Sequence, residues 1–188
     1  MLPLTTPRLR IQMLRAEHAP TMAGYHNLPE VARYQDWELP STVEQALALA
    51  ADQAANEGPT AGIWVQLAVL RGGVLIGDLA VGLDQAGTEA TIGFSFAPEH
   101  QRQGYAREAA GALVDALFAS GVQRIVATLD PANRRSRRLL EALGFVTDGV
   151  ITQVPIRGKL EDDLTYTRNT REWNGNGRLG VIGVQGQG

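Results

Sequence analysis

The chain has 188 residues, 44% of them hydrophobic and 20% charged, with 17 Lys and Arg against 20 Asp and Glu for a formal net charge of −3. That balance predicts one soluble globular domain and argues against general nucleic-acid binding; at this length folding removes roughly 70% of the unfolded chain's surface from water, enough for a core without disulfides or metal. The sequence holds no Cys, which excludes a disulfide framework, thiolate metal sites and a cysteine nucleophile and agrees with a cytoplasmic location. The three His, at 18, 26 and 100, lack metal-ligand spacing, so no metal is expected. Neither a membrane span nor an export signal is expected: no run approaches roughly 20 apolar residues, and Arg8, Arg10 and Arg15 interrupt the start.

Leu9, Ile11 and Met13 alternate with polar neighbours and predict a half-buried strand, followed by a helical region over Glu17 to Asn27. Ser41 with Glu44 three residues on reads as a capping box, and Val43, Leu47, Ala50 and Ala54 then keep helical spacing until Gly58-Pro59. Three strands are predicted next, over Ile63 to Leu70, Val74 to Val81 and Glu89 to Phe96, joined by a tight turn at Arg71-Gly72-Gly73 and a looser one over Asp84 to Gly87. Past Pro98 the period becomes 3.6, with Ala106, Ala109, Ala110, Leu113, Val114 and Leu117 on one helix face closed by Gly121. A strand over Arg124 to Leu129, a helix over Asn133 to Leu143 stopped by Gly144, and strands over Phe145 to Thr152 and Asp163 to Thr167 complete a mixed α/β layout around one sheet. Asn174 to Gly188 holds 6 of the 21 Gly and reads as a flexible tail, leaving residues 1–173 as the domain. Gly175, Gly177 and Gly180 there spell the dinucleotide fingerprint without the strand and helix it needs, and Gly158-Lys159-Leu160 fails the P-loop pattern.

The segment from Phe94 to Arg107 passes from strand to helix through a turn with Gly104 and the small Ala106, flanked by Arg102 and Arg107. A helix start with unpaired amides and little bulk takes an anion, and two Arg beside it suit a pyrophosphate. An ordinary turn in which Gly104 only permits a backbone angle fits these residues equally well.

Gln101-x-x-Gly104-x-Ala106 resembles the coenzyme A loop, Q/R-x-x-G-x-G/A, of the GNAT acetyltransferase superfamily. Asn133-x-x-Ser136-x-x-Leu139-Leu140-Glu141-Ala142-Leu143-Gly144-Phe145 is similar to the second cofactor segment of its RimJ/RimL-like subgroup. Thr5-Thr6-Pro7-Arg8-Leu9-Arg10 and Asp162-x-x-x-Tyr166 with Glu172-Trp173 extend the similarity over nearly all of residues 4–173. The resemblance implies a mostly antiparallel, splayed central sheet of about six or seven strands covered by about four helices. It implies acetyl-CoA as co-substrate between the strand ending at Phe96 and that of Arg124 to Leu129. Phe94, Ser95 and Phe96 would then pair with the pantetheine, the amides of Arg102, Gln103, Gly104, Tyr105, Ala106 and Arg107 would bind the pyrophosphate, and Asn133 and Ser136 would line the thioester end.

The reaction so implied is direct attack of a primary amine on the acetyl thioester, which needs a proton acceptor, donors to the oxyanion and an acid for the thiolate. Where many members of the superfamily carry a Tyr acid this chain has Leu140, which moves the role to Ser136 or to solvent. Glu89, or Asp78 on the neighbouring strand, could hold a water beside the amine; Glu89 stands one residue from the usual acidic position and needs a bulge to correct its phase. Tyr25, His26, Tyr34, Gln35, Asp36, Trp37 and Glu38 cluster within 14 residues, and Tyr34 and Trp37 are the expected substrate contacts; a packed helix pair accounts for the same residues. The amine is a protein N-terminus or a small molecule, and the enzyme a monomer or homodimer. A catalytically impaired acetyl-CoA-binding regulatory module is the other reading. Arg134, Arg135, Arg137 and Arg138 either flank the cofactor's 3′-phosphate or form a solvated helix face; no interleaved aromatic supports RNA.

Overall fold

The computed structural model of the protein describes residues 1–156 and 158–170, so the proposed tail, its glycine motif and Glu172-Trp173 lie outside the described residues. The first alternating segment gives β2 (Arg10–Met13), which pairs antiparallel with a two-residue β1 (Leu4–Thr5). A 3-10 turn at Ala16–His18 leads into α1 (Ala19–His26), and a single helical turn, α2 (Pro29–Ala32), precedes α3 (Val43–Asp52). The capping box of α3 is one residue later than the sequence suggests: Thr42 accepts from the Gln45 amide and Gln45 Oε1 accepts from the Thr42 amide. The helix also stops six residues before Gly58, because Gln53 turns inward and its buried amide donates to the Leu14 and Gln66 carbonyls and accepts from the Gln66 amide. Those bonds hold α3 on the sheet at the cost of its last predicted turn.

β3 (Trp64–Arg71), β4 (Val74–Leu83) and β5 (Glu89–Phe96) form the antiparallel meander that the spacing predicts. Val65 to Leu70 are buried without interruption, since helices cover both faces of the sheet and no polar alternation survives. α4 (Tyr105–Ala119), β6 (Arg124–Leu129) and α5 (Arg134–Ala142) follow the expected ranges closely. The end of the chain departs from them. Phe145 to Thr152 is not one strand: Phe145 is buried, Val146 makes a single bridge to Thr167, and the Thr147 and Asp148 side chains accept from the Gly149 and Val150 amides and turn the chain away. Pairing resumes as a hairpin of β7 (Ile151–Ile156) and β8 (Lys159–Asn169). Among the described residues the sheet thus has eight strands in the order β1-β2-β3-β4-β5-β6-β8-β7, accompanied by five α-helices, against the six or seven strands and four helices expected. The additions are short pieces, β1 and α2, that carry no periodicity to read.

The larger core lies between the sheet and α4, whose Ala109, Ala110, Leu113, Val114 and Leu117 are all buried as the 3.6 period requires. A second core lies on the opposite face, where Tyr25, Met22, Ala46 and Ala50 of α1 and α3 meet Ala68, Leu70 and Leu75. Among the described residues no helix is long and apolar enough to cross a membrane. Gly77 on β4 leaves no room for a side chain, since a Cβ there meets the Ser95 carbonyl oxygen and the Phe96 ring at 2.6 Å. Gly77→Ala therefore lowers stability by about 1–3 kcal/mol, the usual cost of overpacking a tight site, read as a lower urea midpoint with the slope unchanged.

Candidate active site

β5 and β6 are the one parallel strand pair in the sheet order of the described residues, and they share only three rungs, Glu89–Thr91 against Arg124–Val126. Beyond Thr91 they separate while β6 continues along β8, so the facing backbone groups of the later β5 residues, including Phe94, Ser95 and Phe96, open onto a cleft. Ser95 and Phe96 are buried and Phe94 is half-buried. Buried backbone groups need partners, so this edge suits a ligand that offers amides of its own.

At the mouth of the cleft a 3-10 turn, Pro98–His100, runs into α4 through two left-handed residues, Arg102 with φ 59° and Gly104 with φ 81°. The first intrahelical bond of α4 is the Glu108 amide to the Gly104 carbonyl, which leaves the amides of Tyr105, Ala106 and Arg107 as the unpaired first turn that favours an anion. Three side chains fix this loop. Arg8 donates to the Gln103 carbonyl at 3.0 Å, pairs with Glu108 at 2.6 Å and lies 4.5 Å over the Tyr105 ring. Gln101 donates to the Phe96 carbonyl at 2.9 Å and accepts from Arg135 at 3.2 Å, which ties α5 to the loop. Burial raises the pKa of the Glu108 carboxyl, but hydrogen bonds from Thr6 and Arg8 outweigh it and the net shift is downward.

Across the cleft Asn133 caps α5 by accepting from the Ser136 amide at 3.2 Å, which sets half-buried Ser136 on the first turn. Its hydroxyl has no protein partner among the described residues. Leu140, one turn on, is 1% exposed and belongs to the core beneath α4. Arg137 is drawn away from the cleft by the Tyr166 hydroxyl at 3.3 Å, while Arg135 faces the loop. Glu89 is not brought to the open part of the cleft. The β4–β5 ladder runs unbroken from Gly77 opposite Phe96 to Leu83 opposite Ala90, so no bulge corrects its phase, and Arg124 holds its carboxylate at 2.5 Å where β5 and β6 are still paired.

On the α1 face the structure assembles what the sequence left scattered. Asp78, 2% exposed on β4 and directly opposite Ser95, accepts from the Tyr25 hydroxyl, from Gln66 Nε2 and from His26 Nε2, the last at 2.9 Å. The His26 ring stacks on Trp37 with centroids 4.0 Å apart and planes 8° from parallel. Trp37 Nε1 is buried without a partner among the described residues, and half-buried Tyr34 lies 5.1 Å beneath the Arg33 guanidinium. Burial pushes up the Asp163 carboxyl of β8, and the nearby Asp130 and Asp36 carboxylates add to the effect. The pairings of Asp78, Gln66 and Gln53 escaped sequence reasoning; the signal available was a carboxylate and two amides inside otherwise apolar strand and helix runs. Burial, and then the Asp78 charge, raises the Tyr25 phenol well above the ordinary range. A raised folded-state pKa means stability held below pH about 10 and lost as pH rises above it. Tyr25→Phe accordingly lowers stability near pH 7 by about 1.5–3 kcal/mol, for the lost bond to a charged acceptor, and flattens the alkaline decline in urea melts between pH 8 and 11.

Residues 8–146 match the family profile described as Acetyltransferase (GNAT) domain. The chain is 32% identical over 152 residues to the uncharacterized N-acetyltransferase YoaA of Bacillus subtilis (strain 168), covering 80% of this chain and 86% of that one. Among solved structures, a GNAT-family acetyltransferase from Bacillus anthracis superposes with a TM-score of 0.77 at 23% identity, over 89% of this chain and 98% of that chain. RimL, the ribosomal L7/L12 α-N-protein acetyltransferase solved in complex with coenzyme A, superposes with a TM-score of 0.75 at 16% identity, over 88% of this chain and 96% of that chain.

Proposed function

The chain belongs to the GNAT acetyltransferase family, and we propose that it transfers the acetyl group of acetyl-CoA to a primary amine by direct attack. The observation that carries this reading is the coincidence, at one end of β5, of an unpaired parallel edge with a loop whose left-handed Arg102 and Gly104 lead into a free helix start. Gly104 lies at φ 81° with Arg8 Nη2 3.3 Å from where a Cβ would stand, so the loop is held open with backbone toward the ligand. Arg102 and Arg107 are exposed beside it.

Acetyl-CoA supplies the activated acyl group as a thioester. The amides of Tyr105, Ala106 and Arg107 hold its pyrophosphate, the open β5 edge from Phe94 to Phe96 orients the pantetheine, and Asn133 keeps Ser136 at the thioester end. The Ser136 hydroxyl, without a protein partner among the described residues, would donate to the leaving sulfur. Tyr34, Trp37 and the carboxylates of Asp36, Asp130 and Asp163 receive a cationic amine; RimL, named for acetylating a protein α-amine, sets the precedent for a protein N-terminus.

Gly104→Val separates binding from folding, since the valine must adopt a left-handed backbone against Arg8. The wild-type protein should gain roughly 2.7 kcal/mol of stability at acetyl-CoA 100 times its Kd, seen as a rise in melting temperature, and the variant should gain none. A wild-type melt that responds to ATP or NAD and not to acetyl-CoA overturns the assignment. Ser136→Ala should lower kcat at least tenfold, within the range of about 10²–10⁴-fold for general acid catalysis, with the KM for acetyl-CoA unchanged. An unchanged kcat means that water protonates the thiolate.

A further inference from the structure

We propose that His26 is the proton acceptor for the substrate amine, with Asp78 as the residue that positions it; the inference rests on the acetyltransferase reading above and assigns the role that Glu89, held by Arg124, does not fill. Asp78 is the buried anchor. A carboxylate can only accept, so the contact at 2.9 Å puts a proton of His26 on Nε2, and in the neutral imidazole the lone pair is then on Nδ1. Nδ1 has no hydrogen-bond partner among the described residues. Trp37 covers one face of the ring and Tyr25 meets it edge-on with centroids 5.0 Å apart, so the imidazole is held in a single orientation. The titratable groups that touch it are Asp78 from β4 and Tyr25 from its own helix; Tyr25 is occupied in donating to the same carboxylate.

Position favours the assignment. Asp78 stands opposite Ser95 across the β4–β5 ladder, and neighbouring strands lie about 4.8 Å apart, so the imidazole sits one strand from the open β5 edge on the face that Trp37 shares. An Asp–His pair of this kind does two things: it selects the tautomer whose basic nitrogen is the one away from the carboxylate, and it stabilises the imidazolium that forms. The step balances. The ammonium gives one proton to His26 Nδ1 and keeps its electron pair; that pair forms the C–N bond as the C–S bond breaks and sulfur departs with its own pair. The remaining surplus N–H proton ends on the sulfur through Ser136 or water, and the His26 proton returns to solvent.

The test uses the full chain, a primary amine that the wild-type enzyme acetylates, and two variants of His26. His26→Gln keeps a donor toward Asp78 but has no basic nitrogen, and His26→Ala opens a space beneath Trp37. Both should lower kcat/KM for the amine about 10²–10⁴-fold with the KM for acetyl-CoA unchanged, and imidazole added to His26→Ala should restore part of the rate. Asp78→Asn removes the charge beside the ring. The acid limb of kcat/KM should then move to lower pH, because no carboxylate remains to stabilise the imidazolium formed in the step. A merely structural His26 predicts a lower melting temperature with the acid limb unmoved and no response to imidazole, and that outcome overturns the assignment, as does full activity in His26→Gln. Wild-type protein that acetylates no amine sinks the acetyltransferase reading and this inference together; wild-type turnover with unaffected His26 variants sinks this inference alone.

Discussion

A parallel strand pair that stops after three rungs governs the rest of this molecule. β5 and β6 are locked at one end by the ladder from Glu89 to Thr91 and by the Glu89–Arg124 ion pair, and they must part beyond it because β6 follows β8. Parting leaves backbone donors and acceptors facing a gap inside a domain whose faces are otherwise covered, a cost that a folded chain tolerates only where something else supplies the missing bonds. The elements of the candidate site gather around that gap: the loop into α4 at its mouth, the α5 N-terminus across it, and the α1 cluster beside β4. Glu89 thus has a place in the site's construction rather than in its chemistry, since it pins the hinge from which the strands diverge.

How much of this the sequence discloses depends on the range of the forces involved. α4 and β6 could be read almost residue by residue, because a 3.6 or twofold apolar period is imposed locally by which face meets the core. The loop at Gln101 to Arg107 was legible for the same reason: a glycine in left-handed conformation is a local requirement. The termination of α3 was not, because it is set by Gln53 bonding to Leu14 and Gln66, residues distant along the chain. Nor was the break after Phe145, where two short polar side chains turn the backbone before the hydrophobic alternation of Val150 to Thr152 can extend it. In the candidate site, the loop into α4 and the start of α5 are contiguous stretches of chain, and each could be read as a unit. Tyr25, His26 and Trp37 lie close together in the sequence, but Asp78 comes from β4, and only the folded sheet brings it to them.

Burying a carboxylate costs several kcal/mol unless its oxygens are fully occupied, and Asp78 meets that condition with three donors drawn from α1 and β3. The same bonds dock α1 against the sheet beside its apolar contacts in the second core. Orientation of His26 and attachment of the helix that carries it are therefore one set of interactions, so the ring cannot drift without α1 lifting.

The Arg8 clamp has a further consequence for how ionic strength reaches the cofactor. Arg8 is 45% exposed while it pairs with Glu108 and holds the Gln103 carbonyl, and exposed ion pairs weaken as salt shortens the Debye length from about 10 Å at 0.1 M to about 3 Å at 1 M. Salt therefore loosens the loop from behind while it screens Arg102 and Arg107 in front. On the proposed reading, two electrostatic layers in series, one shaping the loop and one attracting the anion, would make anion capture steeper in salt than the two front arginines alone could make it.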